Sequence, residues 1–426
     1  MKHGSELQTS YLPREPAVLR HPSGLSIFLA RAFVALTFLP YLAVPLGGST
    51  SVPAAAVVGA LAWLASPRSR AIDSFVLTLF VVPTVVSAIA AVFTGAPFPL
   101  SGVLMWAGTA ATVAGGAAAI VALRRSLSAL LSWLIIGTAL FGIVQLAAIR
   151  SGVIPFVEFY RASGYASVET NAFAIITYIQ RPFAQFPEPS FMAGSMSLAL
   201  IAMVVIARGR TRERLTSLNS CALLLGAVVV FLSASGSAIV CLALIAVVLV
   251  LTSRRSLANQ VRAVVAVVIA GIGGSLILQE RGVASNFSWG DRFGSIVVAF
   301  DYWVADVGRL FLGAGRGQIT TAFTSGVIDP AGYQFVQVPA DVYSVQARVL
   351  FEYGLLGGAV ILFMCCLVIV RQFGSSTPAV GVIGLGAWIV VAGFTISYES
   401  ASMIWLIPGV ALGLAATRDT AAEEVV

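Results

Sequence analysis

Long apolar runs separated by short polar junctions are the feature that most limits how this chain can fold. A helix needs roughly 20 apolar residues to cross the hydrocarbon core of a bilayer, and such runs recur along nearly the whole sequence. Hydrophobic residues make up 58% of the 426 positions and charged residues only 10%, whereas soluble domains carry about a quarter charged residues. One soluble core could not bury all these runs, so the sequence predicts an all-α polytopic membrane protein.

The apolar runs divide into about twelve predicted spans. Two longer polar segments separate them into three groups, 25–149, 189–278 and 353–417. The individual spans are 25–46, 50–66, 72–94, 99–123, 127–149, 189–207, 216–233, 236–252, 261–278, 353–371, 378–397 and 401–417. A leader (1–24) precedes the spans and a tail (418–426) follows them, and both are predicted to be cytoplasmic.

The basic residues give an independent prediction of the topology. Cytoplasmic loops of membrane proteins are rich in Lys and Arg, and every second junction between the predicted spans is basic, as at Arg68, Arg124, Arg254 and Arg371. The opposite short turns, 47–51, 94–99, 233–237 and 397–400, contain no basic residue. This alternation predicts that both termini are cytoplasmic. It also attributes the net charge of +7 to topology instead of nucleic-acid binding.

Two long segments, 150–188 and 279–352, are predicted to lie outside the cytoplasm. Together they contain eight arginines: Arg150, Arg161, Arg181, Arg281, Arg292, Arg309, Arg316 and Arg348. Positive charge on that side opposes the orientation rule. An anionic ligand would explain it, because the arginine fork binds phosphate oxygens in pairs. Alternatively, the arginines pair with acids of the same segments or with lipid headgroups.

The second long segment contains a predicted amphipathic helix from Arg292 to Phe311. Apolar residues recur there at helical spacing, at positions 293, 296, 297, 300, 303, 304, 307 and 311. We expect this helix to lie at the outer membrane surface. The alternative is a lid or a helix that only packs against its neighbours.

Acidic residues and a tyrosine are the candidate general bases, since neither long segment contains a histidine. Glu188 lies between two prolines immediately before a predicted span, where it could act as a base or cap the following helix through Ser190. Asp341 and Tyr343 precede the tenth span and could serve in the same way.

Glu352 and Arg348 lie where the tenth predicted span begins. Intramembrane acids are costly and usually functional, but an ion pair between these two residues, four apart on one helix face, is equally expected. The sequence has no Walker-type phosphate loop, no HExxH and no DxD-like acidic pair. We therefore expect no metal, no cofactor and no nucleotide-sugar donor. A lipid-linked pyrophosphate donor fits better, because pyrophosphate is a good leaving group by itself.

Three stretches of the second long segment form a pattern. They are Gly290-Asp-Arg292-Phe-Gly-Ser, Leu312-Gly-Ala-Gly-Arg316-Gly317 and Phe351-Glu352-Tyr-Gly354-Leu-Leu-Gly357. An Arg-led helix, a Gly-x-Gly turn and a Glu-x-Gly-Leu-Leu-Gly helix opening in this order resemble bacterial O-antigen polymerases and O-antigen ligases. The Glu188-Pro-Ser190 element resembles the version in capsule and exopolysaccharide polymerases of the Wzy type.

The resemblance implies a GT-C-like fold with two large periplasmic segments. It also implies a metal-independent, inverting glycosyltransferase of the bacterial inner membrane, with its active site facing the periplasm. Donor and acceptor would be undecaprenyl-diphosphate-linked oligosaccharides, and membrane lipids and a chain-length-regulating protein would be further partners. By position, Arg292 and Arg316 would neutralise the diphosphate, and Arg181 and Glu188 would line the same cavity.

The sequence departs from the family pattern in two places, and the first departure favours a polysaccharide repeat-unit polymerase over a ligase. Ligases typically carry a His-Asn pair where this sequence has Tyr343-Ser344, which leaves the identity of the base open. The turn after the seventh span often reads Ser-Arg-Gly and here reads Ser235-Gly-Ser237. A transporter or flippase of lipid-linked sugars is the alternative from another class, but the two halves of the chain show no repeat. A structural scaffold would not explain the arginines of the long segments.

Overall fold

A computed structural model of the chain describes residues 22–40, 42–47, 50–66, 70–94, 100–123, 126–156, 172–186, 188–209, 215–233, 236–251, 283–329, 341–374, 378–393 and 402–423. The ninth predicted span, 261–278, lies outside the described residues, and so do Arg161 and Arg281.

Helices account for most of the described residues, so the predicted all-α class is confirmed. In chain order they are α1 Gly24–Thr37, α2 Ala54–Leu64, α3 Arg70–Thr94, α4 Leu100–Leu123, α5 Ser126–Arg150, α6 Pro189–Gly209, α7 Ser217–Leu232, α8 Gly236–Leu251, α9 Val283–Val304, α10 Val307–Leu312, α11 Gln318–Thr324, α12 Val345–Tyr353, α13 Val360–Phe373, α14 Pro378–Gly393 and α15 Ser402–Glu423. A short helical turn, Ala172–Ala174, continues into the π-helical turn Ile175–Ile179. A second π-helical turn, Gly354–Ala359, connects α12 to α13.

Five helical stretches within the described residues are long and apolar enough to cross a membrane. They are Ala71–Phe93, Gly102–Leu123, Ser126–Arg150, Pro189–Ala207 and Val345–Phe373. Shorter apolar helices accompany them at Gly24–Thr37, Ala54–Leu64, Ser217–Leu232, Val380–Gly393 and Ser402–Thr417. This set of helices fits a multi-pass membrane protein.

The first two predicted spans differ from the structure. The prediction of one helix over 25–46 is wrong, because α1 ends at Thr37 and an antiparallel hairpin of β1 (Ala43–Gly47) and β2 (Thr50–Pro53) follows. Prolines at positions 40, 45 and 53 oppose helix here, and the β-branched residues favour strands. Helices α1 and α2 are therefore only about 21 and 16 Å long, less than the ~30 Å hydrocarbon core.

Helix α4 lies in the main apolar core and contacts α1, α2, α3 and α15. Its sequence is rich in alanine and glycine, which lets neighbouring helices approach closely. A Cβ added to Gly115 would lie 2.6 Å from the Cα of Gly59 in α2, and one added to Gly116 would lie 3.1 Å from the Cα of Gly409 in α15. Helix α6 packs against α5, α7 and α8, and this packing fixes the residues just before its first turn.

A second apolar cluster connects helices α9, α11 and α12. Its buried members are Ala299, Trp303, Ile319, Ala322, Phe323, Ile328, Val342 and Phe351. The rings of Trp303 in α9 and Phe351 in α12 have centroids 5.3 Å apart. This contact fixes the position of the Arg-led helix relative to the Glu-containing helix.

The predicted amphipathic helix over 292–311 is two helices in the structure. Helix α9 starts earlier than predicted, at Val283, and the helix is interrupted after Val304. Asp306 causes the break, because its backbone is extended (φ −132°) and its carboxylate caps α10 by accepting from Arg309 N at 2.8 Å. Large apolar side chains of both helices remain exposed, including Phe293, Phe300, Val304, Val307 and Phe311. Their location at the membrane surface stays a prediction.

Candidate functional site

An ion pair joins the first long segment to the second. Arg292 in α9 places Nη2 3.2 Å from Glu188 Oε1, across 104 residues of sequence. Ser190, in the first turn of α6, donates to the same Oε1 atom, and its Oγ lies 3.5 Å from Arg292 Nη2. The Glu188 side chain is 36% exposed and the Arg292 side chain 16%. The carboxylate is therefore the more accessible partner.

Ser295, one turn further along α9, connects this ion pair to the residues before α12. Its buried hydroxyl donates to Arg292 O at 2.7 Å. The same Oγ accepts from Tyr343 N at 3.3 Å. The backbone of Tyr343 is thereby held one helical turn from Arg292.

A second ionic group, which we name the Arg348 cluster, comprises Asp341, Arg348 and Glu352. Arg348 Nη1 lies 2.8 Å from Asp341 Oδ2, and Arg348 Nε lies 3.1 Å from Glu352 Oε1. Asp341 Oδ1 also accepts from Val342 N at 2.8 Å. The side chain of Glu352 is 0% exposed, and a buried carboxylate is tolerated only when it is paired and hydrogen-bonded. Arg348 provides that pairing.

The glycine turn (residues 313–317) lies against the C-terminal end of α12. Gly315 N donates to Glu352 O at 3.1 Å, and Gly317 N donates to Glu352 Oε1 at 2.9 Å. These two bonds flank Arg316, so Glu352 fixes the backbone that carries this arginine.

Glycine is required at two positions where the turn meets the helix end. Gly313 (φ +82°) and Gly354 (φ +61°) adopt left-handed conformations that favour glycine. A Cβ on Gly313 would lie 2.2 Å from Glu352 O, and one on Gly354 would lie 2.3 Å from Phe311 O. Two of the motif stretches therefore fit together backbone against backbone.

Arg316 extends from the glycine turn to α4. Its side chain is half-buried, and a Cβ added to Gly102 of α4 would lie 3.2 Å from Arg316 Cδ and 3.6 Å from Tyr353 Oη. The ring of Tyr353 in turn contacts Trp106 of α4 edge-on, with centroids 5.3 Å apart. Arg316 thus lies where the glycine turn, α12 and α4 meet.

Residues 181–186, which we name the anchored segment, precede Glu188 and lie along α5. Buried Gln145 of α5 accepts through Oε1 from Phe183 N at 2.8 Å and from Ala184 N at 2.7 Å. Its Nε2 donates to Ala184 O at 3.2 Å. Three hydrogen bonds from one side chain therefore hold the backbone of this segment.

Seven of the eight predicted site residues take part in these two groups of contacts, Tyr343 through its backbone and Arg316 through the glycine turn that Glu352 holds. We name them the polar network: Glu188, Arg292, Arg316, Asp341, Tyr343, Arg348 and Glu352. The eighth, Arg181, is half-buried at the start of the anchored segment, seven residues before Glu188. The ion pair expected between Arg348 and Glu352 is present.

Sequence reasoning missed two residues that organise the site. Gln145 lies inside the predicted span 127–149, and a polar side chain at membrane depth is a signal that could have identified it. Ser295 carries no such signal, because serine is common on helices and its partner Tyr343 is 48 residues away.

The accessible part of the polar network combines a guanidinium with a carboxylate. A guanidinium presents five donors in a fork that matches phosphate oxygens, so Arg292 can hold Glu188 and an anionic ligand together. Both side-chain contacts of Glu188 are made by Oε1. Within the described part of the chain Oε2 makes no such contact, so this oxygen can accept a proton.

No family model and no curated protein sequence matches the chain. Among the residues that the structure describes, no three His, Cys, Asp or Glu side chains are grouped as they would be around a metal ion. The helices and the site define only a broad class of protein. The protein is all-α, its apolar helices fit a multi-pass membrane protein, and its polar network is assembled from two distant segments.

Proposed function

We propose that the chain is a polysaccharide repeat-unit polymerase. It transfers glycosyl groups between undecaprenyl-diphosphate-linked oligosaccharides at the periplasmic face of the bacterial inner membrane. The observation that carries this proposal is the 3.2 Å ion pair between Arg292 and Glu188. It joins the two stretches that resemble such polymerases, and it combines an anion-binding group with a proton acceptor.

In this proposal, Arg292 and Arg316 bind the diphosphate of the donor. Charge develops on the oxygen that bridges the sugar and the diphosphate as that bond breaks, and pre-positioned cations stabilise it without any metal. Arg348 is assigned a structural role, because it already pairs with Asp341 and Glu352.

The reaction is a single displacement. The acceptor hydroxyl oxygen attacks the anomeric carbon from the face opposite the diphosphate. A new C–O bond forms, the old one breaks, undecaprenyl diphosphate leaves with the electron pair, and the configuration inverts. The hydroxyl proton passes to a general base.

Glu188 is the proposed base. Its Oε2 atom makes no side-chain contact within the described residues, whereas both carboxylate oxygens of Asp341 are bonded, one to Arg348 and one to Val342 N. A general base needs an oxygen within hydrogen-bond reach of the proton that it removes, and Glu188 Oε2 is the carboxylate oxygen that meets this requirement. Tyr343 donates its backbone N–H to Ser295 Oγ. We therefore assign a structural role to the backbone of Tyr343 and do not propose its hydroxyl as the base.

The membrane arrangement is part of the same proposal. About twelve spans form a GT-C-like bundle with both termini in the cytoplasm, and 150–188 and 279–352 lie in the periplasm. The alternation of basic junctions supports this orientation. Large apolar side chains that are exposed on α3 and α13 would then contact lipid, for example Leu77, Val92, Phe93, Phe363 and Leu367.

Reconstitution tests the proposal directly. The purified protein in proteoliposomes is given undecaprenyl-diphosphate-linked repeat units in the presence of EDTA, and products are separated by size. We expect a ladder of lipid-linked oligomers that withstands EDTA and disappears with Arg292→Ala. Transfer only to a different acceptor would indicate a ligase, and translocation of unchanged repeat units would indicate a flippase. Either result would refute the polymerase.

A further inference from the structure

One face of α5 forms a cradle for the anchored segment. Thr138, Gly142 and Gln145 follow the i, i+4, i+7 spacing that places residues on the same side of a helix. Thr138 Oγ1 accepts from Gln185 Nε2 at 2.8 Å. A Cβ on Gly142 would lie 3.7 Å from Pro182 Cβ and 3.8 Å from Ala184 Cβ, so the segment packs against this position at van der Waals distance.

The amide of Gln145 matches the backbone groups that it meets. Its Oε1 accepts from two N–H groups and its Nε2 donates to one carbonyl, and the side chain is 0% exposed. Buried backbone groups of an irregular segment are tolerated only when other protein groups satisfy them. Without Gln145, the N–H groups of Phe183 and Ala184 would lose this partner.

The backbone of Ala184 is in a conformation that needs such support. Its φ is +48° and it is fully buried. A left-handed conformation costs a non-glycine residue about 1–2 kcal/mol, and it persists only where the surroundings determine it.

We propose that Gln145 is a positioning residue that holds Glu188 against Arg292 through the anchored segment. Glu188 is the fourth residue after Ala184, a reach of at most about 14 Å. Release of the segment therefore lets the carboxylate move away from the guanidinium. The effect on turnover rests on the proposed function, whereas the holding of the segment does not.

Thiol accessibility tests the holding without any assay of activity. Ala184→Cys is made in a background where Cys221, Cys241 and Cys366 are alanine, and the purified protein in detergent is treated with a maleimide. The native Cys365, which is 0% exposed in α13, remains as the reporter of global folding. We expect Gln145→Leu to raise the labelling rate at position 184 about 10-fold or more while Cys365 stays protected. An unchanged rate at position 184 would overturn the proposal.

Gln145→Glu gives a second test, which remains usable if the Gln145→Leu variant misfolds. A protonated carboxyl offers one acceptor and one donor, as the amide does, whereas the carboxylate has no donor and faces the Ala184 carbonyl. At each pH, the labelling rate at position 184 in the Gln145→Glu variant is divided by the rate in the parent with Gln145. This ratio should be low in acid and rise with pH. A ratio that does not change with pH would contradict the proposal.

Ser197→Ala is the matched control, because among the described residues this buried hydroxyl donates to Ala193 O of its own helix, at 2.7 Å, and to no other group. It should keep parental labelling and parental turnover. In proteoliposomes, Gln145→Leu should lower kcat about 10-fold while KM for the lipid-linked unit stays within twofold, because Arg292 still binds the donor. A loss confined to KM would refute the positioning of Glu188. If the parent forms no polymer while labelling responds as expected, the proposed function fails and the anchoring stands.

Discussion

Arg292 and Arg348 both pair with carboxylates, but their surroundings differ. Arg348 contacts two acids, and one of them, Glu352, is completely buried. The carboxylate that Arg292 contacts, Glu188, is 36% exposed. An arginine enclosed by two acids maintains the structure around it, whereas one with an accessible partner can exchange that partner for a ligand.

The energetic consequences of the two pairs should differ accordingly. A partly exposed ion pair contributes only about 0–1 kcal/mol to stability. Removing one partner of a buried pair costs about 3–5 kcal/mol, because it leaves an uncompensated charge. Substitutions in the Arg348 cluster should therefore lower the amount of folded protein, and substitutions at the Arg292 pair should lower activity alone.

The largest expected effect is that of Arg348→Leu. It removes the guanidinium that pairs with the buried carboxylate of Glu352 and should destabilise the protein by about 3–5 kcal/mol. Size-exclusion chromatography and thermal unfolding in detergent measure this loss. The double variant Arg348→Leu/Glu352→Leu should recover part of it, because the fully buried carboxylate of Glu352 is removed and the carboxylate that remains, Asp341, is 19% exposed. A stable, monodisperse single variant would show that the cluster is not structural.

Arg292→Ala should reduce polymer formation about 100- to 1,000-fold, as expected for removal of a group that stabilises transition-state charge. Its free energy of unfolding should match that of the parent within about 1 kcal/mol. Arg292→Lys should recover little activity, because a point charge cannot replace the fork. Full recovery of activity in Arg292→Lys would show that position 292 needs only a positive charge.

Glu188→Gln should lower turnover about 100-fold, because it keeps the size of the side chain and removes the proton acceptor. Asp301→Asn, a substitution of an exposed acid on α9, is the matched control and should leave turnover unchanged. Initial rates in proteoliposomes give the comparison. Unchanged turnover in Glu188→Gln would exclude this residue as the base and leave Asp341 or Tyr343.

Ser190→Ala should have the smallest effect, a reduction in turnover of less than about 10-fold. Ser190 supplies one hydrogen bond to Glu188 Oε1. Such a bond to a charged group contributes about 1.5–3 kcal/mol to stability, but only the part that differs between ground state and transition state affects turnover. The ion pair with Arg292 remains. A loss as large as that of Glu188→Gln would indicate that Ser190 itself contacts the substrate.

The sequence predicted the helices best where one physical rule dominates. Helices α4, α5 and α6 begin and end within about two residues of the predicted spans 99–123, 127–149 and 189–207, because long apolar runs specify them alone. The hairpin before α2 and the break at Asp306 were missed. In both places local proline or capping chemistry overrides the apolar pattern.

In the site, too, the local sequence predicted some features, whereas contacts between distant residues determine the others. The motif stretches identified Arg292 and Glu352 by their order along the sequence. The pairing of Arg292 with Glu188 crosses 104 residues, and nothing in the local pattern specifies it. Gln145 acts through backbone groups of a segment 38 residues away, so its partners depend on the packing of α5 and α6.

Product analysis after deletion of the gene in its native host tests the central claim most directly, with surface polysaccharide and lipid-linked intermediates separated by size. The polymerase predicts single repeat units on undecaprenyl diphosphate, exposed to the periplasm, and restoration of polymer by the parent gene but not by Arg292→Ala. Full-length polymer retained on the lipid carrier, or repeat units trapped at the cytoplasmic face, would contradict the account.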